Sequence, residues 1–96
     1  MGEIITKRGN LPLKKYHVEK IWSNSEKKFV FYWMDFEGIC PKKDEIIIQN
    51  IIFEDNPKIK LGDNVIDVVL EMDEIEEIDF NGEKMIKFSG IARRTL

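Results

Sequence analysis

The chain has 96 residues, of which 43% are hydrophobic and 34% are charged, and its formal net charge is −3. This composition is typical of one soluble globular domain spanning residues 1–96, and it excludes a disordered chain and a strongly basic nucleic-acid binder. No apolar run approaches the ~18 residues that a membrane span needs, and the single cysteine, Cys40, excludes an intrachain disulfide. We therefore expect a cytoplasmic protein with no membrane segment.

The first half of the chain predicts a short strand followed by an aromatic hairpin. Glu3–Lys7 fits the short strand, and residues 9–12 (Gly-Asn-Leu-Pro) predict a turn or an irregular lead-in. Tyr16–Trp22 alternates and is rich in aromatic and β-branched residues, and Phe29–Phe36 contains five aromatic residues, so both segments predict strands. The polar residues 23–26 between them predict the hairpin turn.

The length of that turn decides which side chains share a face of the hairpin. An even-length loop places the even-numbered residues of the first strand on the same face as the odd-numbered residues of the second strand. An odd-length loop pairs the faces the other way. The even arrangement gives a nearly all-aromatic face with Lys20 among the rings. That face is either hydrophobic core or a binding surface. Its members would be Tyr16, Val18, Lys20 and Trp22 together with Phe29, Phe31 and Trp33.

The middle of the chain predicts one buried strand between two connections. Residues 38–44 contain a proline and two lysines and predict a connection. Glu45–Glu54 is apolar on both faces, which is typical of a central strand covered on both sides. Asn56-Pro57 ends that segment, and Leu61-Gly62-Asp63-Asn64 predicts a turn into the last third of the chain.

The last third predicts a long hairpin between Val65 and Arg94. Asn81-Gly82 favours a type I′ turn, because both residues tolerate positive φ. The hydrophobic alternation breaks near Asp73, which this register places opposite Gly90, and the pair predicts a β-bulge. Residues 69–80 also have a weaker helical pattern, which stays open as an alternative. The predicted cross-strand pairs are Asp79 with Lys84, Ile78 with Met85, Glu76 with Lys87, and Ile75 with Phe88.

Six short strands, tight turns and at most one short helix predict an all-β fold. Closure into a barrel removes exposed sheet edges, so a small barrel of five or six strands is favoured over a sandwich. An OB-like barrel is the first expectation, and an SH3-like barrel is the second.

Seven carboxylates and no base lie between Asp67 and Asp79. The predicted register leaves Glu71, Glu74 and Glu77 without a cross-strand cation, while Glu76 faces Lys87. Alternating strand faces and the absence of a calcium-loop spacing argue against a metal site. We expect these four glutamates to form an acidic docking face for another protein with a basic surface.

The aromatic hairpin supports an alternative, the binding of single-stranded nucleic acid. Aromatic rings stack on bases, while lysines contact phosphates. The residues of this alternative are Lys20, Trp22, Lys27, Lys28, Phe31 and Trp33.

The sequence contains no pattern that predicts catalysis or a cofactor. His17, the single histidine, has no nucleophile placed by a motif, and Cys40 has only sequence neighbours as candidate activators. No glycine-rich phosphate loop is present. The sequence therefore predicts a non-catalytic binding module without cofactor or metal, of the kind represented by inhibitors, immunity proteins and subunits of complexes.

Overall fold

A computed structural model describes residues 2–96, which form eight antiparallel strands in two sheets and one short α-helix. Short 3₁₀ turns at residues 42–44 and 51–53 flank the helix. The elements are β1 (Gly2–Thr6), β2 (Gly9–Leu13), β3 (Lys15–Ser23), β4 (Lys28–Pro41), α1 (Glu45–Gln49), β5 (Lys58–Leu61), β6 (Asn64–Asp67), β7 (Val69–Phe80) and β8 (Glu83–Thr95).

Sheet A has the strand order β2-β1-β5-β6, and sheet B has the order β3-β4-β8-β7. The chain passes between the sheets three times, through the helical segment after β4 and at two tight corners. At the first, Lys14 donates its N–H to the carbonyl of Glu37 at 2.7 Å, and at the second, Val68 donates to the carbonyl of Pro57 at 3.1 Å. The all-β prediction with one short helix is confirmed. In residues 2–96, however, no strand pairing joins the two sheets into a closed barrel.

The two sheets differ greatly in strand length. Strands β4, β7 and β8 have 14, 12 and 13 residues, whereas the strands of sheet A have four or five. At ~3.3 Å per residue, a long strand extends far beyond a short one at both ends. The molecule measures 53 × 25 × 25 Å accordingly.

The core lies between the two sheets and is closed at one side by the helical segment. We call the side of sheet B that contacts sheet A its inner face and the opposite side its outer face. Every second residue of β4 from Tyr32 to Cys40 is buried on the inner face. The other fully buried side chains are Ile4 and Leu11 of the first hairpin, Ile59 of β5, and Ile86, Phe88 and Ala92 of β8.

The β7–β8 hairpin has the predicted turn and the predicted pairs. Asn81 and Gly82 both have positive φ, +51° and +81°. All four predicted cross-strand pairs are present, and residues 69–80 form a strand, so the helical alternative is wrong. The predicted bulge is also present, with Asp73 as the extra residue, but Gly90 pairs with Met72 and not with Asp73.

The predicted central strand Glu45–Glu54 is wrong, because this segment forms α1 and the second 3₁₀ turn. Its buried residues are Ile47, Ile48 and Ile51, a spacing of one and three residues that lies on one side of a helix. An apolar run of this length does not distinguish a buried strand from a helix.

Two segments predicted as connections belong to strands. Residues 9–12 begin β2, where Pro12 is tolerated because β2 is at the edge of sheet A and need not donate to a second neighbour. Residues 38–41 complete β4, with Pro41 at its last position. Residues 58–61 and 64–67 form β5 and β6 of sheet A, so the predicted hairpin starts at Val69 and not at Val65. With β2, β5 and β6 gained and the strand at 45–54 lost, the strand count is eight instead of six.

Candidate functional site

The aromatic hairpin does not form the single face that an even-length loop predicted. Four residues separate Ser23 from Lys28, and Trp22 pairs with Phe29 as this length requires. The ladder then shifts at Val30, which has no partner on β3, so that Ile21 pairs with Phe31. Beyond this bulge, the odd-numbered residues of β3 pair with the odd-numbered residues of β4, which is the opposite of the pairing that the loop length predicted.

The aromatic rings of the hairpin consequently lie on opposite faces of sheet B. Trp22 and Phe29 form an edge-to-face pair at 5.1 Å, next to Lys20 on the inner face. Phe31 and Trp33 form a tilted pair at 6.0 Å on the outer face. The six residues of the nucleic-acid alternative are therefore not brought together on one surface. Lys27 lies in the turn, and Lys28 pairs with Ser23.

Three of the four predicted acidic residues share the outer face with two acids of β4. The cross-strand rows place Glu71 in line with Asp35 across β8, and Glu74 in line with Glu37. Glu76 pairs with Lys87 in the next row of the same face. Glu71 and Glu74 share a face although they are three positions apart, because Asp73 is the extra residue of the bulge.

Glu77 lies on the inner face, where it pairs with Ile86. Its carboxylate is 3.0 Å from the Nζ of Lys42, and Glu71 is 2.7 Å from the guanidinium of Arg93. The expectation that these two glutamates have no cationic partner is therefore wrong. Within residues 2–96, Glu74 and Glu76 have no cation within 4.0 Å. These two carboxylates project the uncompensated charge.

Glu37 is the most strongly engaged carboxylate of the outer face. The Nζ atoms of Lys87 and Lys15 lie 3.0 and 3.1 Å from its two oxygens. Hydrogen bonds from Lys87 and then Lys15 hold the pKa of Glu37 below its ordinary value. Lys87 thus forms its ion pair with Glu37, while its cross-strand partner Glu76 and the adjacent Glu74 feel its charge only at a longer distance.

We expect acid to weaken the fold partly through Glu37. Since its pKa is lowered in the folded state, its contribution is present above the unfolded carboxyl pKa of about 4.3 and is lost as the pH falls through the lower folded value. Chemical denaturation at several pH values should give a shallower acid loss for Glu37→Gln than for the wild type. Glu26→Gln, in the exposed β3–β4 turn, is the matched control and should follow the wild type. Equal slopes in all three proteins would contradict the assignment.

An apolar groove adjoins the acidic strand, and sequence reasoning did not find it. It lies between residues 51–57 and the start of β7, has a volume of about 490 Å³, and carries acidic side chains at its rim. Ile52 and Phe53, at the end of the helical segment, are 80% and 75% exposed. We call this feature the acidic groove. Its lining includes Ile51, Ile52, Pro57, Val68, Leu70 and Met72, with Glu54, Asp55 and Glu71 among its acids.

Neither His17 nor Cys40 has the surroundings of a reactive group. His17 is exposed, and its Nε2 is 3.2 Å from the carboxylate of Glu19. Burial, together with the charges of Asp44 and Glu45, raises the pKa of the Cys40 thiol to about 11. Among residues 2–96, no group of three His, Cys, Asp or Glu side chains is placed to hold a metal ion. The same residues contain no helix long and apolar enough to cross a membrane.

Comparison with protein-family models, with curated proteins and with solved structures finds no match for this chain.

Proposed function

We propose that this protein is a non-catalytic protein-binding module that docks through the acidic groove and the adjoining glutamates of β7. The observation that carries the proposal is the exposure of Ile52 and Phe53 beside an acidic edge strand. A domain of this size needs its large apolar side chains for the core. Two neighbouring ones in solvent, next to an apolar groove, are typical of an interaction surface.

The energetic gain from covering this surface is large enough to support specific binding. Burying a fully exposed isoleucine or phenylalanine side chain contributes ~1.5–3 kcal/mol. The groove beside these residues has room for an inserted side chain, with a volume of about 490 Å³. A partner that inserts an apolar side chain there and covers Phe53 therefore gains binding energy from both contacts.

The charge around the groove selects the partner. Glu54, Asp55 and Glu71 are at the rim, and Glu74 and Glu76 continue the negative charge along β7. Lys7 and Arg93 offset part of this charge through ion pairs with Asp55 and Glu71. We infer a partner whose contact surface combines apolar side chains with lysine or arginine, since complementary charge raises the association rate and suppresses wrong partners.

Selection from a random peptide library on the immobilised protein tests this inference. We expect enrichment of peptides that combine leucine, isoleucine or phenylalanine with lysine or arginine. The double variant Ile52→Ser/Phe53→Ser should bind these peptides at least about tenfold more weakly, as expected for the loss of ~1.4 kcal/mol or more. Phe80→Ser is the matched control, because Phe80 is half-exposed at the distant β7–β8 turn.

The charge contribution has its own test. Glu74→Lys/Glu76→Lys should slow peptide association at low salt, and the difference should shrink as salt screens charges beyond ~8–10 Å. Asp63→Lys/Glu83→Lys changes the net charge equally at two turns and should have a smaller effect. Unchanged selection and rates in both the apolar and the acidic variants would reject the proposal.

This proposal covers the kinds of binding protein that the sequence suggested, an inhibitor, an immunity protein or a subunit of a complex, in the cytoplasm. The single aromatic face expected for an OB-like or SH3-like barrel that binds nucleic acid is not formed, because Trp22 lies on the face opposite Phe31 and Trp33.

A further inference from the structure

A second groove opens between the inner face of sheet B and strands β5 and β6, near the end of sheet B at which β7 also begins. Its volume is about 480 Å³, and its apolar walls include Val18 of β3, Leu61 of β5 and Ile66 of β6. We call it the inter-sheet groove. It shares no lining residue with the acidic groove, so the two proposed sites can be tested with separate variants.

Two cations flank a buried tyrosine across the floor of this groove. Lys20 pairs with Tyr32, and Tyr32 pairs with Arg94, so the three side chains form one cross-strand row on the inner face. Adjacent strands are ~4.8 Å apart, which places the backbones of Lys20 and Arg94 about 10 Å apart. Two long, flexible cationic side chains at this spacing can reach the same anion.

These two cations form no ion pair in the described part of the chain. The nearby carboxylate of Asp67 is paired with Lys58, and this hydrogen bond, with a smaller contribution from the charge of Arg94, lowers the pKa of Asp67. In the described part of the chain, neither Lys20 nor Arg94 has a carboxylate within 4.0 Å, whereas Arg93 on the other face is paired with Glu71. The hydroxyl of Tyr32 donates only to the sulfur of Met34, at 3.9 Å. Thioether sulfur is a weak acceptor, so this hydroxyl also has capacity for a better one.

Aromatic rings stand directly beyond the cationic row. Trp22 and Phe29 are each about half-exposed, at 49% and 48%. The Nζ of Lys20 lies 5.9 Å from the centre of the Phe29 ring. An aromatic surface for a base next to cations for a phosphate is the combination that binds single strands without strong sequence preference.

The surrounding charge also favours an anion, although the net charge of the chain is −3. Lys27 and Lys28 lie at the β3–β4 turn, near this end of sheet B, with Glu26 as the acid among them. The uncompensated carboxylates Glu74 and Glu76 lie toward the opposite end of the sheet.

We propose that the inter-sheet groove binds single-stranded nucleic acid, with one phosphate between Lys20 and Arg94 and a base stacked on Trp22. Of the six residues that the sequence predicted for nucleic-acid binding, the proposed phosphate and base contacts use only Lys20 and Trp22. Arg94 and Phe29 replace Phe31 and Trp33, which lie on the outer face.

The two tryptophans of the chain provide a reporter for each face. In Trp33→Phe, fluorescence comes from Trp22 alone, and we expect a short thymidine oligonucleotide to quench it saturably. In Trp22→Phe, the remaining Trp33 should not respond. ADP should bind more weakly than the oligonucleotide, because it has one base and no adjacent nucleotides to contact the rest of the groove. Quenching of Trp33 instead of Trp22, no quenching of either, or ADP binding as tight as the oligonucleotide would overturn the proposal of a strand site.

Charge variants identify the phosphate contact. Lys20→Gln and Arg94→Gln should each weaken oligonucleotide binding about fivefold or more, and each should lower the slope of log affinity against log salt by roughly 0.7. Lys60→Gln is the matched control, because Lys60 is an exposed lysine of sheet A without a carboxylate within 4.0 Å in residues 2–96. Denaturation curves show that each variant is folded. Equal losses in all three variants would mean that the chain attracts the strand only as a diffuse charge, which overturns the site.

Discussion

Phe88→Ala is expected to lower the free energy of unfolding by about 3–5 kcal/mol, the usual range for removing a buried aromatic ring. Phe88 is 1% exposed, and its ring is 6.4 Å from that of Phe36. The ring also fills the space above Gly38, where an added Cβ would lie 2.3 Å from the Phe88 Cζ. Alanine would therefore leave a cavity at the contact between the two sheets. Chemical denaturation of mutant and wild type measures the loss.

Phe80→Ala removes the same atoms from the same hairpin and is the matched control. Phe80 is 50% exposed at the turn, so its removal should cost less than about 1 kcal/mol. A similar loss for the two variants would show that Phe88 does not occupy the core position described above.

The β7–β8 hairpin was predictable because its determinants are local. Asn81-Gly82 fixes the turn, and the turn fixes the pairs of the two strands as far as Glu74 and Ser89, where the bulge begins. The bulge was also predictable, since the hydrophobic alternation fails at Asp73 and a glycine is nearby in the other strand. The sequence missed the pairing of that glycine by one residue, and it assigned residues 65–67 to this hairpin although they form part of β6 in sheet A.

The bulge at Val30 has no comparable sequence pattern, and it determines which side chains line the proposed inter-sheet site. Val30 is a β-branched residue in a continuous aromatic strand, without glycine or proline beside it. The even length of the loop was compatible with the observed turn, but it did not determine the faces beyond Val30. Sequence reasoning therefore placed Trp22 with Phe31 and Trp33, and it omitted Arg94, which joins the site through a pairing between distant parts of the chain.

The segment 45–54 was mispredicted for a different reason. Its apolar residues on both faces indicated a strand covered on two sides, whereas the helical form buries Ile47, Ile48 and Ile51 and leaves Ile52 and Phe53 in solvent. Ile52 and Phe53 are among the apolar residues whose presence on both faces predicted a covered strand. Which residues are covered depends on the packing of the segment against β7, which is not encoded locally.

The acidic face shows a similar division between local and distant determinants. Composition identified Glu71, Glu74 and Glu76, which share the outer face. The assignment of Glu77 to that face is wrong, because continued alternation after the bulge turns it to the inner face. Its ion pair with Lys42 joins positions 35 residues apart in sequence and could not be predicted from the hairpin register.

Gly90→Ala is expected to destabilise the fold by about 3 kcal/mol, at the upper end of the range for overpacking. A Cβ at Gly90 would lie 2.2 Å from the backbone carbonyl oxygen of Glu71 and 3.0 Å from the Cζ of Phe36. The first contact is with backbone, so no rotation of a side chain relieves it. Strand β7 would have to move away from β8 next to the bulge at Asp73.

This movement links the stability of the hairpin to the proposed docking surface, because β7 carries Glu71 and Glu74 and borders the acidic groove. Peptides selected on the wild type should therefore bind Gly90→Ala more weakly even at temperatures where the variant is folded. Ser89→Ala, at the adjacent half-buried position on the outer face, should change stability by less than about 1 kcal/mol and leave peptide binding unchanged. A Gly90→Ala protein with wild-type stability would show that β7 does not approach β8 this closely. A destabilised variant with unchanged peptide affinity would show that the position of β7 at the bulge does not affect the docking surface.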